Sequence, residues 1–197
     1  MLDGDIEPAS RIDTATIADM LLDGYMKDPA FLWLIPDEAD RKRHLPPMVR
    51  AMVRSALRFG LVLHRGDNLA ASLWRMPGQI TAGLFENIAN MHVYWPIIRK
   101  NRARARVIRD SVRAHHPDFR CRSLQFIGVA EGRRGTGMGS AMLREGLAMA
   151  DAAGDPVYIE NSRPETLPFF IKQGFDIHDE WDVGMGGPRF TSLIRRG

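Results

Sequence analysis

The sequence predicts a mixed α/β fold, and three stretches carry that expectation. Ser123 to Ala153 reads as a short apolar strand (Leu124, Phe126, Ile127, Val129), a glycine turn and an amphipathic helix bearing Met142, Leu143, Leu147 and Ala150. LVLHRGDNLAASLW, from Leu61 to Trp74, reads as a hairpin of two apolar strands joined through Gly66-Asp67-Asn68. Just before it, Met48, Met52, Ala56 and Phe59 repeat at helical spacing.

Composition sets the class. A chain of 197 residues, 45% hydrophobic and 26% charged, is expected to form one soluble globular domain over 1–197. Its apolar stretches fall far short of the roughly 20 residues that span a bilayer, and the start, MLDGDIEP, is acidic where a signal peptide would be basic. A cytoplasmic protein with no membrane partner is expected. Cys121 is the single cysteine, which excludes an internal disulfide, and it reads as a small buried residue. A net charge of +3 and a pI near 9.3 permit an anionic ligand.

Taken in order, Pro8 to Ile12 reads as a first edge strand, and Asp13 or Thr14 as the cap of a helix carrying Ile17, Met20, Leu21 and Tyr25 that Asp28-Pro29 closes. Phe31 to Ile35 is an apolar loop, too short for a helix, which either plugs the underside of the sheet or walls an acceptor pocket. A second helix runs from Asp40 to Phe59, with Pro46-Pro47 interrupting it or marking its start, and Gly60 ends it. His64 reads as a solvent-facing strand residue near the hairpin turn. The segment from Trp74 to Leu124 reads as helical, with Leu84, Ile88, Met91, Tyr94, Trp95 and Ile98 as its apolar positions. Arg99, Lys100, Arg102, Arg104, Arg106, Arg109 and Arg113 crowd its second half, yet 102, 104 and 106 fan around a helix at about 200° steps. That pattern suits a solvated face or the rim of an anion site rather than a nucleic-acid surface. His115-His116 has no partner at metal-ligand spacing, so no metal is expected.

The glycine turn carries the most specific chemistry. Arg133-Arg134-Gly135-Thr136-Gly137-Met138-Gly139-Ser140 places three glycines at alternate positions before a helix, where turned-in N–H groups and the helix dipole favour phosphate. A P-loop needs GxxxxGK[ST], and no lysine follows these glycines. A Rossmann fingerprint fits better, with Glu160 about 20 residues on, but Ser140 takes the third glycine position and only 37 residues follow Glu160. A third reading comes by resemblance, to the coenzyme A loop of the GNAT acetyltransferases. IGVAEGRRGTGMGSAML resembles their (Q/R)-x-x-G-x-(G/A) motif, with Arg134, Gly137 and Gly139 in its defining places.

The resemblance extends along the chain and is closest to the puromycin N-acetyltransferase-like group. DAAGDPVYIENSRPETLPFFIKQGFDI resembles the family's fifth strand, the helix after it and the start of a terminal strand. GGPRFTSLIRR resembles its closing strand, and DPAFLWLIPDEADRKR and LAASLWRMPG the group's N-terminal half. The resemblance implies a mostly antiparallel mixed sheet splayed between its fourth and fifth strands, with helices on both faces. It also implies acetyl-coenzyme A as co-substrate and the primary amine of a small molecule as acceptor. Residues 78–120 then form a helical insertion, serving acceptor specificity, packing or a homodimer surface.

By the same resemblance, backbone N–H groups around Ile127, Gly128 and Val129 polarise the thioester. Those of Arg134, Gly135, Thr136, Gly137, Met138, Gly139 and Ser140 hold the pyrophosphate, and Thr166 and Phe170 line the coenzyme. The chain departs from the group in its proton-handling residues. Gln125 stands where a glutamate is usual, Thr166 where an asparagine is common, and Phe170 where a tyrosine acts as general acid. Glu160 matches a retained acid and is the expected base or a structural carboxylate, with Tyr158 as a further acid or a core residue. A coenzyme A-binding protein with a degenerate active site is the alternative.

Overall fold

The computed structural model describes residues 5–79 and 84–197, with side chains omitted for 84–89. Its seven-stranded sheet has the order β1-β2-β3-β4-β5-β7-β6. The strands are β1 (Ile6–Pro8), β2 (Gly60–Arg65), β3 (Ala70–Arg75), β4 (Arg122–Val129), β5 (Val157–Asn161), β6 (Asp176–Asp182) and β7 (Arg189–Arg195). The β4–β5 pair is parallel and all other neighbours are antiparallel. This is the mixed, mostly antiparallel sheet that the sequence leads one to expect.

Helices α1 (Thr14–Met26), α2 (Pro29–Leu34), α3 (Glu38–Phe59), α4 (Leu84–Lys100), α5 (Arg102–His115), α6 (Met138–Ala153) and α7 (Leu167–Ile171) cover it. Ile17, Leu21, Leu45, Val49 and Val53 of α1 and α3 bury against Val62, Ala71 and Leu73 on one face. Leu143, Leu147 and Ala150 of α6 bury against Trp74, Leu124 and Val157 on the other. A bulge makes both faces possible: Leu73 pairs with Phe126 but Trp74 with Leu124, so Gln125 is the extra residue on β4. The extra residue reverses the alternation, turning Leu124 toward α6 and Phe126 toward α1.

Several local expectations are corrected. The first strand ends at Pro8, because Arg11–Asp13 winds into a 3₁₀ turn closed by the Asp13 carboxylate on the Ser10 N–H (2.8 Å) and hydroxyl (2.7 Å). The apolar loop is instead the six-residue α2, started by Pro29 and by Asp28, whose carboxylate accepts the Ala30 N–H at 2.9 Å. α3 begins two residues early, where Asp37 caps it, and runs unbroken through Pro46-Pro47. The carbonyls those prolines leave unpaired belong to exposed Lys42 and Arg43, which water can satisfy. His64 is buried, because β1 covers the β2 edge, and its Nδ1 lies 2.9 Å from Asn68 Oδ1.

On α4 the core contacts are Val93 and Ile97, while Met91, Trp95 and Ile98 are exposed and Tyr94 is partly buried. The side chains of Leu84 and Ile88 lie outside those described. The arginine-rich α5 has no buried residue, and its Val107 and Ile108 pack against Trp181, Val183 and Phe190.

Gly146 of α6 lies over Trp74, whose indole N–H donates to Ser72 Oγ at 2.8 Å. A Cβ added at Gly146 would stand 2.1 Å from Trp74 Cζ2. Gly146→Ala is therefore expected to lower unfolding free energy by about 1–3 kcal/mol through overpacking, measured by urea denaturation.

Candidate active site

The site begins where β4 and β5 part. Their pairing runs from Arg122↔Val157 through Ser123↔Tyr158 to Leu124↔Ile159 and ends there, at the Gln125 bulge. Both strands continue, β4 to Val129 and β5 to Asn161, without pairing to each other. Gln125 to Val129 and Ile159 to Asn161 thus line opposite sides of a cleft of about 1750 Å³.

The glycine loop closes one end of that cleft. Gly135 and Gly137 take left-handed φ values of 78° and 86°, where other residues are strained. The first bond inside α6 runs from Ala141 N–H to the Gly137 carbonyl, and no side chain caps the helix. The N–H groups of Met138, Gly139 and Ser140 therefore precede the ladder and carry the positive end of the helix dipole. Gly135, Gly137, Gly139 and Ser140 line the cleft, as do Thr166 and Phe170. Met138 instead buries its side chain, and Thr136 donates its hydroxyl to the Arg133 carbonyl at 2.6 Å, so these two offer backbone only. Arg134 pairs with Asp23 of α1 at 3.0 Å across the mouth. An array of uncapped N–H groups with arginines beside it fits a pyrophosphate.

On the opposite wall, Val157 and Ile159 face the core while Tyr158 and Glu160 face the other way, as strand alternation requires. Tyr158 is 1% exposed, lies behind the wall and donates its hydroxyl to Glu160 Oε1 at 3.0 Å. Burial pushes the Glu160 carboxyl up to about 7, with the Tyr158 bond and the nearby His115 opposing the rise. Burial and the neighbouring Glu160 raise the Tyr158 hydroxyl well above its ordinary value. Gln125 accepts a 3.0 Å hydrogen bond from Arg75 Nε. Cys121 is buried, and burial pushes its thiol up to about 11.

Further residues reach the cleft: Phe31, Arg109 and Arg113 fall in stretches the sequence offers as a pocket wall or an anion rim, while Tyr25, Asp28 and His116 have no such assignment there. Tyr25, Asp28 and Phe31 enter from α1 and α2, and Arg109, Arg113 and His116 from α5 and the turn after it. Asp28 accepts from Ser162 Oγ at 3.1 Å, and burial raises its carboxyl. Thr166 Oγ1 lies 3.0 Å from Asn161 Oδ1 and 2.8 Å from the Arg163 carbonyl. A helical stripe such as Leu21 and Tyr25 reads as core, and Asp28-Pro29 as a helix end. Nothing in their spacing marks a pocket.

No family model matches the chain. Among solved structures, an acetyltransferase related to histone acetyltransferase HPA2 from Corynebacterium glutamicum superposes with a TM-score of 0.70 at 19% identity, covering 98% of this chain and 97% of that one. Arylalkylamine N-acetyltransferase 2 from Aedes aegypti gives 0.65 at 9% identity, covering 98% and 99%. An agmatine N-acetyltransferase gives 0.60 at 13% identity, covering 99% and 100%. The chain has the fold of the GNAT acetyltransferases.

The raised Glu160 carboxyl makes a prediction about stability. An unfolded glutamate loses its proton near 4.5, the folded one near 7, so the folded state holds an extra proton between those values. The stabilisation from the neutral form is complete below 4.5 and is lost as pH rises toward 7. Glu160→Gln stays neutral throughout. Urea denaturation is expected to show its stability improving relative to the parent from pH 5 to pH 8, on the order of 1–3 kcal/mol.

Proposed function

We propose that the chain is an acetyl-coenzyme A-dependent N-acetyltransferase acting on the primary amine of a small molecule, working in the cytoplasm as one domain over 1–197. The observation that carries this reading is one cleft that joins the uncapped start of α6 to a neutral-range carboxyl on the end of β5 that has parted from β4. Similarity of fold to arylalkylamine and agmatine N-acetyltransferases supports an amine acceptor.

The N–H groups from Arg134 to Ser140 would hold the coenzyme's pyrophosphate, and the backbone of Ile127 to Val129 would take its thioester arm. The coenzyme supplies an activated acetyl group. Glu160 removes a proton from the acceptor's ammonium, and Tyr158 holds the carboxylate in place from behind. Helix α5 and the turn after it border the acceptor half through Arg109, Arg113 and His116, the anion-tolerant rim of an otherwise apolar and acidic pocket.

A second reading is favoured by one observation, the absence of a hydroxyl at Phe170, which is 5% exposed and packed on Phe175. A coenzyme A-binding protein without efficient turnover would bind the coenzyme yet release no free thiol when amines are added. Titration calorimetry with acetyl-coenzyme A, run beside a thiol-release assay over a panel of small amines, separates the two.

Gly137→Glu is expected to weaken coenzyme binding by about 100-fold or more, since it strains a left-handed residue and sets a carboxylate against phosphates. Glu160→Gln is expected to lower kcat by about 10²–10⁴-fold with coenzyme affinity unchanged, read by the same two assays.

A further inference from the structure

Acetyl transfer needs a proton at the departing sulfur, and Phe170 has none to give. Another hydroxyl lines the cleft, supplied by a different element. Leu21 of α1 sits in the space left by Gly128, where an added Cβ would come within 2.5 Å of Leu21 Cδ2. This contact seats α1 directly on the splayed part of β4. One turn later Tyr25 stands edge-on to Phe126 at 4.5 Å and to Phe31 at 5.8 Å, which fixes its ring. Tyr25 lines the cleft together with Ile127, Gly128 and Val129.

We infer that Tyr25 is the group that protonates the leaving thiolate, doing from α1 what Phe170 cannot do from α7. The inference rests on the acetyl-transfer reading. Tyr25 packs on Phe126 and lines the cleft beside Ile127 to Val129, the stretch assigned to the thioester carbonyl, and the sulfur is bonded to that same carbon, which puts the ring beside the departing group. In the step, the amine nitrogen, having lost one proton to Glu160, forms the C–N bond. The C–S bond then breaks with its electron pair going to sulfur. Tyr25 gives its proton to sulfur as it takes the second proton from the nitrogen, and is regenerated as tyrosine. The products are the amide and the free thiol, with the first proton passing from Glu160 to solvent. Burial and the nearby Asp28 carboxylate hold the hydroxyl protonated throughout, which suits a relay that never accumulates tyrosinate.

The test compares Tyr25→Phe, which keeps the ring packing, with the parent in calorimetric titrations of coenzyme A and of desulfo-coenzyme A. Circular dichroism confirms that the variant is folded. The parent is expected to bind coenzyme A about fivefold or more tighter than the desulfo analogue, the worth of one hydrogen bond, and Tyr25→Phe to bind the two alike. With an amine that turns over, kcat should fall about 10²-fold while desulfo-coenzyme A affinity stays constant. If Tyr25→Phe distinguishes the two coenzymes as the parent does, or if the parent binds them equally, Tyr25 does not touch the sulfur and the assignment is overturned. Failure of the parent to bind either one overturns the acetyl-transfer reading itself.

Discussion

The arrangement depends on a pairing that stops. β4 and β5 share three registered pairs and then separate, and the separation begins at the bulge that Gln125 forces into β4. Parallel strands in a sheet covered on both faces would ordinarily continue their ladder, because unpaired backbone groups away from water are costly. Here the extra residue reverses which side chains face α1 and which face α6. From Phe126 onward β4 is therefore held by α1 on one side and, through Ile127 and Val129, by the α6 face on the other. The backbone along the gap is left for a ligand to use.

Charge is distributed along the cleft in a way that sorts ligands. Its interior carries Glu160 and Asp28, both with carboxyls raised by burial. Its margins carry Arg109, Arg113, Arg133, Arg134 and Arg163. Polyanionic groups are favoured at the edge and a single ammonium within, which is the division of charge between a nucleotide thioester and an amine. Exposed arginines are screened within roughly 10 Å at moderate salt. The buried carboxyls are not, so the interior preference persists where the rim's fades.

The strand, glycine turn and helix from Ser123 to Ala153 are legible in the sequence because each rests on local rules: apolar runs, left-handed glycines and a helical stripe. The β5 alternation and the buried Cys121 are legible for the same reason. What the sequence hides is set by tertiary contact. His64 is buried because a three-residue strand covers its edge, and the α4 stripe departs from its apolar pattern because α3 selects Val93 and Ile97 instead of the more conspicuous Met91 and Trp95. The partner of Gln125, Arg75, lies fifty positions away in the chain, and nothing local in the sequence announces it. Tyr25 and Asp28 reach the cleft across more than a hundred residues of chain, a relation that no periodicity encodes.

The fit of Leu21 into the space beside Gly128 has a bearing on how such a chain can change over generations. Any side chain at 128 must displace a leucine on an element more than a hundred residues earlier, so the two positions are free to drift only as a pair. A bulkier 128 matched by a smaller 21 would preserve packing yet lift α1 from the strand, carrying its whole pocket-facing side outward. Lineages that made that exchange would keep the fold while resizing the cleft, leaving the glycine loop before α6 untouched.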